Sequence, residues 1–192
     1  MRILVTGGSR GIGRAVALEL AGQHDVAVNY QSSEAEAEQV VKAVEKQGST
    51  AVAVKADVRD PGAVDSMITE VVETLGGLDA VVNNAGIVDP DLATDIDDDQ
   101  WERVIETNLT GAFVVTRAAL PHIVPDGDIV FISSIGGTGG TVDASYAASK
   151  AGLHGLTRSL AREYGDDGVQ VNAVAPGPVE TDLNDEILEY LQ

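Results

Sequence analysis

RILVTGGSRGIG, residues 2 to 13, decides the fold of this chain. An apolar, β-branched run meets a glycine-rich turn and then a helix candidate over about residues 12 to 21. A strand that turns through glycines into a helix is the context in which a backbone can cradle a pyrophosphate. Glycine permits the sharp turn and the close approach, and backbone N–H groups with the positive end of the helix dipole meet the negative charge. A tight strand-to-helix turn that binds nothing uses the same residues, so the stretch gains meaning only from the rest of the chain. Its glycines Gly7, Gly11 and Gly13 follow TGxxxGxG rather than GxGxxG.

Outward from that turn, short apolar runs alternate with helix-like segments to the end of the chain. The strand candidates are residues 2 to 6, 25 to 30, 50 to 58, 78 to 86, 128 to 134 and 169 to 177; the helix candidates cover about 12 to 21, 34 to 47, 61 to 75, 100 to 120 and 146 to 164. This rhythm predicts βαβ units in an α/β fold. Continuous apolar strands suit a parallel sheet covered by helices on both faces. Right-handed crossovers then give a doubly wound Rossmann sheet, with strand order 3-2-1-4-5-6. No internal repeat or linker divides the 192 residues, and one dinucleotide-binding and catalytic domain is expected.

Charge is the unusual feature. With 31 acidic and 12 basic residues the net charge is −19, and Asp crowds DPDLATDIDDD from Asp89 to Asp99, a polar connection expected on the surface. That charge disfavours nucleic acid and anionic membrane as partners. Ordinary apolar content, 44%, argues for a folded chain with an acidic surface rather than disorder. Such self-repulsion calls for screening, and the Debye length falls to ~3 Å at 1 M salt. The composition resembles proteins of salt-loaded halophile cytoplasm; an acidic mesophile protein is the alternative. Without cysteine, and with His24, His122 and His154 at no metal-ligand spacing, no metal site is expected. The early Thr-Gly-Gly turn leaves no room for a signal peptide and no apolar run is long enough to span a bilayer, so a soluble, cytoplasmic protein is expected.

Six motifs then stand in order: TGxxxGxG at the first turn, NNAG at Asn83 to Gly86, Asn108 in a helix, Ser134 after a strand, YxxxK at Tyr146 to Lys150, and PG at Pro176 to Gly177. In order and spacing the chain resembles the short-chain dehydrogenase/reductase family, and within it the 3-oxoacyl-(acyl carrier protein) reductases and related acetoacetyl-CoA reductases. The resemblance implies cofactor contacts from Gly7, Ser9, Arg10, Gly11, Ile12 and Gly13 in the loop and from Asn29, Tyr30 and Ser32 after the second strand. It adds Asp57 and Val58 at the adenine, Asn84, Ala85 and Gly86 along the cofactor, and Tyr146 and Lys150 beside the nicotinamide ribose. Pro176, Gly177, Val179 and Thr181 are implied near the carboxamide. Plainer readings stand beside these: Asp57 as a helix cap, NNAG as a tight turn.

An acidic residue about 20 positions past the first glycine would grip the adenosine ribose of NAD and repel a 2'-phosphate. Here the second strand ends in NYQSS, Asn29 to Ser33, and the first acid is Glu34 in the next helix. Arg10 adds a cation with a donor fork suited to phosphate, although it could equally be a solvated surface charge. NADP(H) is therefore favoured over NAD(H). Ser33 with Glu36 reads as a capping box before it reads as a phosphate contact.

Hydride transfer to a carbonyl leaves an alkoxide that needs a proton. Tyr146 is the candidate acid; its ordinary pKa is about 10, and Lys150, one turn along the same helix face, could stabilise the phenolate. Ser134 ends a strand, where doubly wound sheets place ligands, and its hydroxyl could steady the carbonyl oxygen. Ser133 is the rival, and because adjacent strand residues face opposite sides only one of the two can meet the substrate; the resemblance favours Ser134, since Ser134-Ile-Gly-Gly fits the family's Ser-x-x-Gly better. The resemblance gives Asn108 the water that links Lys150 to solvent. Singly, each of the four could be a cap, a kink or surface packing.

The expected function is an NADPH-dependent carbonyl reductase acting on a ketone, its alcohol, or a 3-oxoacyl thioester. A non-catalytic NAD(P)-binding sensor that kept the fold is the alternative. An epimerase or dehydratase of the extended branch would favour TGxxGxxG, which is absent. The family implies a longer substrate loop and a seventh strand than the residues after PGPVETDL supply, so the C-terminal part reads as short or missing. A homodimer or homotetramer is expected through the helices at 100 to 120 and 146 to 164, with Ala118, Ala119, Ala151 and Gly152 as contact residues.

Overall fold

A computed structural model of the chain describes residues 1–179. Six parallel strands form one sheet in the order β3-β2-β1-β4-β5-β6. They are β1 (Arg2–Val5), β2 (Asp25–Tyr30), β3 (Ala51–Lys55), β4 (Leu78–Asn83), β5 (Ile123–Ile132) and β6 (Gln170–Val174). The helices are α1 (Gly11–Leu20), α2 (Glu34–Glu45), α3 (Pro61–Leu75), α4 (Asp98–Ile105), α5 (Gly111–Ala119), the short α6 (Gly136–Gly139) and α7 (Ala144–Tyr164).

Alternation along each strand assigns the two faces. Leu4, Ala27 and Val81 pack against Val64, Met67, Ile68 and Val71 of α3 and Val114 and Val115 of α5. Their neighbours Ile3, Val5, Val26 and Val28 pack the other way, against Ala17 of α1 and Val40 and Val44 of α2. A third cluster joins Ile129 and Phe131 of β5 to Leu153 and Leu160 of α7. Local chemistry sets some boundaries: α3 starts where the Asp60 carboxylate accepts from the N–H groups of Gly62 and Ala63, with Pro61 at the first helical position.

Several boundaries differ from expectation. β5 begins five residues before residue 128, because Ile123 pairs with Leu78 ahead of a register shift and Asp126 takes a positive φ of 63°. Pro125, Asp126 and Gly127 are turn-favouring residue types, yet an irregular strand accommodates them. β3, β4 and β6 stop at Lys55, Asn83 and Val174, and the chain just beyond each becomes cleft wall. The helix expected over 100 to 120 is three pieces, α4 and α5 joined by a π-helical turn at Glu106–Thr110. Ser33 holds the N-cap position of α2 without a side-chain capping bond, its ψ of 63° lying off the extended conformation that capping uses, so the capping box is not formed.

The expected contact residues of an assembly also need correction. Ala119 is fully buried in the core, Ala118 packs against it, and Gly152 lies against Leu109 within the same chain. Of the four only Ala151 is exposed; the outer faces carry Phe113 and Arg117 on α5 and Gly155 and Arg158 on α7. The acidic connection from Asp89 to Asp99 is largely exposed, as expected, and ends where Asp97 caps α4 through the N–H of Gln100 at 2.7 Å. No helix among the described residues is long and apolar enough to cross a membrane.

Candidate active site

The carboxyl ends of the strands line two adjoining cavities of ≈ 360 and ≈ 230 Å³ that share Ile12, Asn84 and Gly86 as walls. The larger runs from the glycine turn past Arg10, Gln31 and Asp57 to Arg103. The smaller holds Ser134, Tyr146, Lys150, Pro176 and Gly177. One continuous cleft therefore passes from the second strand to the start of α7.

Side chains brace the glycine turn from behind. Asn29 is buried, and its Oδ1 accepts from the N–H of Gly7 at 3.2 Å while its Nδ2 donates to the carbonyls of Ala56 and Val54. Thr6 Oγ1 accepts from the N–H groups of Asn84 and Ala85, and Asn84 Nδ2 donates to the carbonyls of Thr6 and Gly7. Gly7 takes a φ of 60°, where a side chain is costly. A Cβ on Gly13 would stand 2.4 Å from the Gly7 carbonyl oxygen. The turn is thus a cradle that only glycine leaves open, with the first residues of α1 in its wall, and these residues fit a dinucleotide pyrophosphate. Asn29 and Tyr30 line the cleft, but the Asn29 amide is occupied by backbone and the Tyr30 ring is buried among apolar residues of α1 and α2.

Just beyond β3, Asp57 is not a helix cap. Its carboxylate receives a bidentate contact from Arg59 and a 2.8 Å hydrogen bond from Gln31 Nε2. The Arg59 hydrogen bond, against the opposing effect of burial, lowers the Asp57 pKa. Arg10 is exposed on the cleft wall and makes no ion pair among the described residues. Gln31, Arg59, Arg103 and Thr107 line this end without having been read from sequence. Gln31 lies inside the Asn29 to Ser33 stretch at the end of the second strand, where an acid would mark NAD, and that placement is its only signal in the sequence.

At the other end the two serines part as alternation requires. Ser133 is buried, donating to the Lys150 carbonyl at 3.0 Å with His154 Nε2 at 2.8 Å. Ser134 enters the cleft, where its Oγ accepts from the N–H of Gly136 and hydrogen-bonds the Tyr146 phenol. Lys150 is buried, its ammonium 5.6 Å from the centre of the Tyr146 ring and donating to the Ile132 carbonyl at 2.9 Å. Burial lowers the Lys150 pKa to about 8. The tyrosine departs from expectation: burial raises its pKa, the Ser134 hydrogen bond opposes that, and the charge of Asp143 adds to the rise. Burial is the largest influence on the phenol, while the Lys150 ammonium is aimed at the Ile132 carbonyl.

Asn108 sits in the π-helical turn, the kind of helix irregularity that recurs at functional sites. Its amide accepts from the Ile87 N–H at 2.8 Å and donates to the Ile87 carbonyl and to Ser149 Oγ. Pro176 and Gly177 line the smaller cavity with Val179, and the Pro176 carbonyl accepts from the N–H of Ile135. Thr181 lies outside the described residues.

A sheet of order 3-2-1-4-5-6, a glycine cradle at its first turn and a Ser–Tyr–Lys cluster beyond it define a dinucleotide-dependent oxidoreductase, and the chain belongs to the short-chain dehydrogenases, whose family model matches residues 1–191. The 3-oxoacyl-[acyl-carrier-protein] reductase FabG of Staphylococcus aureus is 44% identical over 193 residues, spanning 98% of this chain and 78% of the relative. An L-rhamnose 1-dehydrogenase (NAD(P)(+)) of a Sphingomonas species is 41% identical over 188 residues, covering 95% and 74% of the two chains. Among solved structures, a short-chain dehydrogenase of Burkholderia cenocepacia in complex with NADP superposes with a TM-score of 0.92 at 42% identity, covering 95% of this chain and 76% of that one. This chain is accordingly an NAD(P)-dependent oxidoreductase that interconverts alcohols and carbonyls.

Proposed function

We propose that the chain reduces a 3-oxoacyl thioester or a similar ketone with NADPH, and that Tyr146 is its proton donor. The observation that carries this reading is the convergence of Ser134, Tyr146 and Lys150 on one small cavity at the end of a cleft that begins with a glycine cradle. A reduced nicotinamide, when bound, supplies the hydride.

The chain's own residues do the rest. Ser134, whose Oγ accepts from Gly136 and whose hydroxyl meets the Tyr146 phenol, turns its O–H to the substrate carbonyl when substrate binds and so orients it. Tyr146 passes its phenolic proton to the oxygen that becomes an alcohol, and a phenol whose pKa lies above its ordinary value of about 10 is protonated at neutral pH. Lys150, with a pKa near 8, is poised to return a proton to the phenolate. Asn108 holds Ile87 and Ser149 in place beside it and, as the family resemblance suggests, a water leading to solvent.

NADPH is favoured over NADH because the wall beside β2 offers Arg10 and Gln31, and its nearest acid, Asp57, is tied by Arg59. The NADP-bound Burkholderia relative supports this choice. The exposed faces of α5 and α7, with Phe113, Arg117, Ala151 and Arg158, are the proposed contact of a homodimer or homotetramer. The FabG relative supports the thioester and the rhamnose dehydrogenase is the competing precedent, so both substrates belong in one assay.

The test is oxidation of NADPH by purified protein with acetoacetyl-CoA in high salt, which screens the −19 charge, beside NADH and L-rhamnose with NADP⁺. Turnover of acetoacetyl-CoA with preference for NADPH is expected. Tight cofactor binding without turnover on any carbonyl would leave a sensor, and preference for NADH would overturn the role of Arg10.

A further inference from the structure

A buried carboxylate that the chemistry above does not use lies at the start of the catalytic helix. Asp143 is 4% exposed and occupies the N-cap position of α7. Its Oδ1 accepts from the backbone N–H of Tyr146 at 2.9 Å and from the Ser145 hydroxyl at 2.6 Å. Its Oδ2 faces the backbone N–H of Asp89 at 3.4 Å. Three donors and no acceptor is the environment that an ionised carboxylate takes.

The contact with Asp89 ties this cap to the far wall. Asp89 begins the acidic connection, its carbonyl accepts from Gln100 Nε2 at 2.8 Å, and its carboxylate pairs with Arg103 of α4. Around the Tyr146 ring itself the neighbours are apolar, Val88 and Val104, with Ile87 at the edge. The charged groups that bear on the phenol are Lys150 on its own helix, Asp143 at the start of that helix, and Asp89, which Arg103 neutralises. The polar but uncharged Ser134 faces it from the end of β5. Asp143 is thus the one negative charge near the tyrosine, among the described residues, that no cation pairs.

We propose that Asp143 is a positioning residue for Tyr146: it fixes the tyrosine through its backbone N–H, and its buried negative charge holds the phenol in the protonated, proton-donating form. This rests on the reading of Tyr146 as proton donor. Burial is the larger influence on the phenol, the Ser134 hydrogen bond opposes it, and the charge of Asp143 adds to burial. The effect favours ketone reduction, which consumes a phenol, over alcohol oxidation, which needs a phenolate.

Asp143→Asn keeps an oxygen for the Tyr146 and Ser145 donors and removes only the charge; Asp143→Ser is a second capping residue without charge. The phenolate ultraviolet absorbance of the full chain is titrated for wild type and both variants, each minus its Tyr146→Phe counterpart to isolate one ring. In both variants the midpoint is expected to move to lower pH, and the high-pH fall of ketone reduction to move with it. A midpoint that stays or rises would overturn the proposal and leave Asp143 a plain helix cap. If Tyr146→Phe leaves reduction intact, the proton-donor reading fails, while the titration still reports separately on Asp143.

Discussion

The two ends of the cleft are built on opposite plans. At the glycine turn the buried polar side chains Thr6, Asn29 and Asn84 are spent on backbone groups, and the cradle itself is main chain. At the start of α7 the plan reverses, and Ser134, Tyr146 and Lys150 present side-chain atoms to the cavity while the backbone supports them. The difference teaches that the first end tolerates no added volume, whereas the second depends on the identity of single functional groups.

Changes at each end should therefore separate binding from turnover. Lys150→Met is expected to lower kcat by about 10²-fold or more, with a smaller loss of NADPH affinity; equal losses in single-turnover and binding measurements would merge the two ends. Gly13→Ala drives a Cβ into the Gly7 carbonyl and is expected to cost about 2 kcal/mol in denaturant unfolding, with cofactor binding weakened in step. Asn29→Ala leaves the Gly7 N–H and the Ala56 carbonyl without their partner. It should weaken NADPH binding about tenfold while kcat at saturating cofactor stays near wild type. A kcat effect exceeding the binding effect would show that the turn does more than bind.

A control lies at the amino ends of the strands, away from the cleft. Arg2 hydrogen-bonds Asp79 at 2.7 Å and lowers its pKa to about 2. A carboxylate whose folded pKa lies below the unfolded value of about 3.9 contributes stability that is complete above that value and lost as pH falls toward 2. Asp79→Asn is expected to cost about 1 kcal/mol at neutral pH, to flatten the acid limb of the stability profile, and to leave kcat and NADPH affinity unchanged.

Much of this was legible in sequence because it rests on local spacing. The glycine turn, the sheet order and the separation of Ser133 from Ser134 follow from periodicity and strand alternation. What stayed hidden depends on tertiary contact. Asn29 reads as a ligand contact until the neighbouring strands supply the backbone groups it braces. The π-helical turn around Asn108 breaks a helix that sequence reads as continuous, and it ends where Gly111 lies close against Val58. Ala119 is apolar and small wherever it points, so only packing shows that it faces the core. Asp143 lies in a stretch of small polar residues and shows its burial only once α7 docks on the chain after β4.

The most direct test measures NADPH binding and NADPH-dependent ketone reduction on the same preparation of Tyr146→Phe. The phenolic hydroxyl is the single group removed, and the glycine cradle is untouched. Binding close to wild type with turnover reduced about 10³-fold is the predicted result. Turnover that survives, or binding lost in proportion to it, would contradict a cleft in which one end holds the cofactor and the other, through Tyr146, delivers the proton.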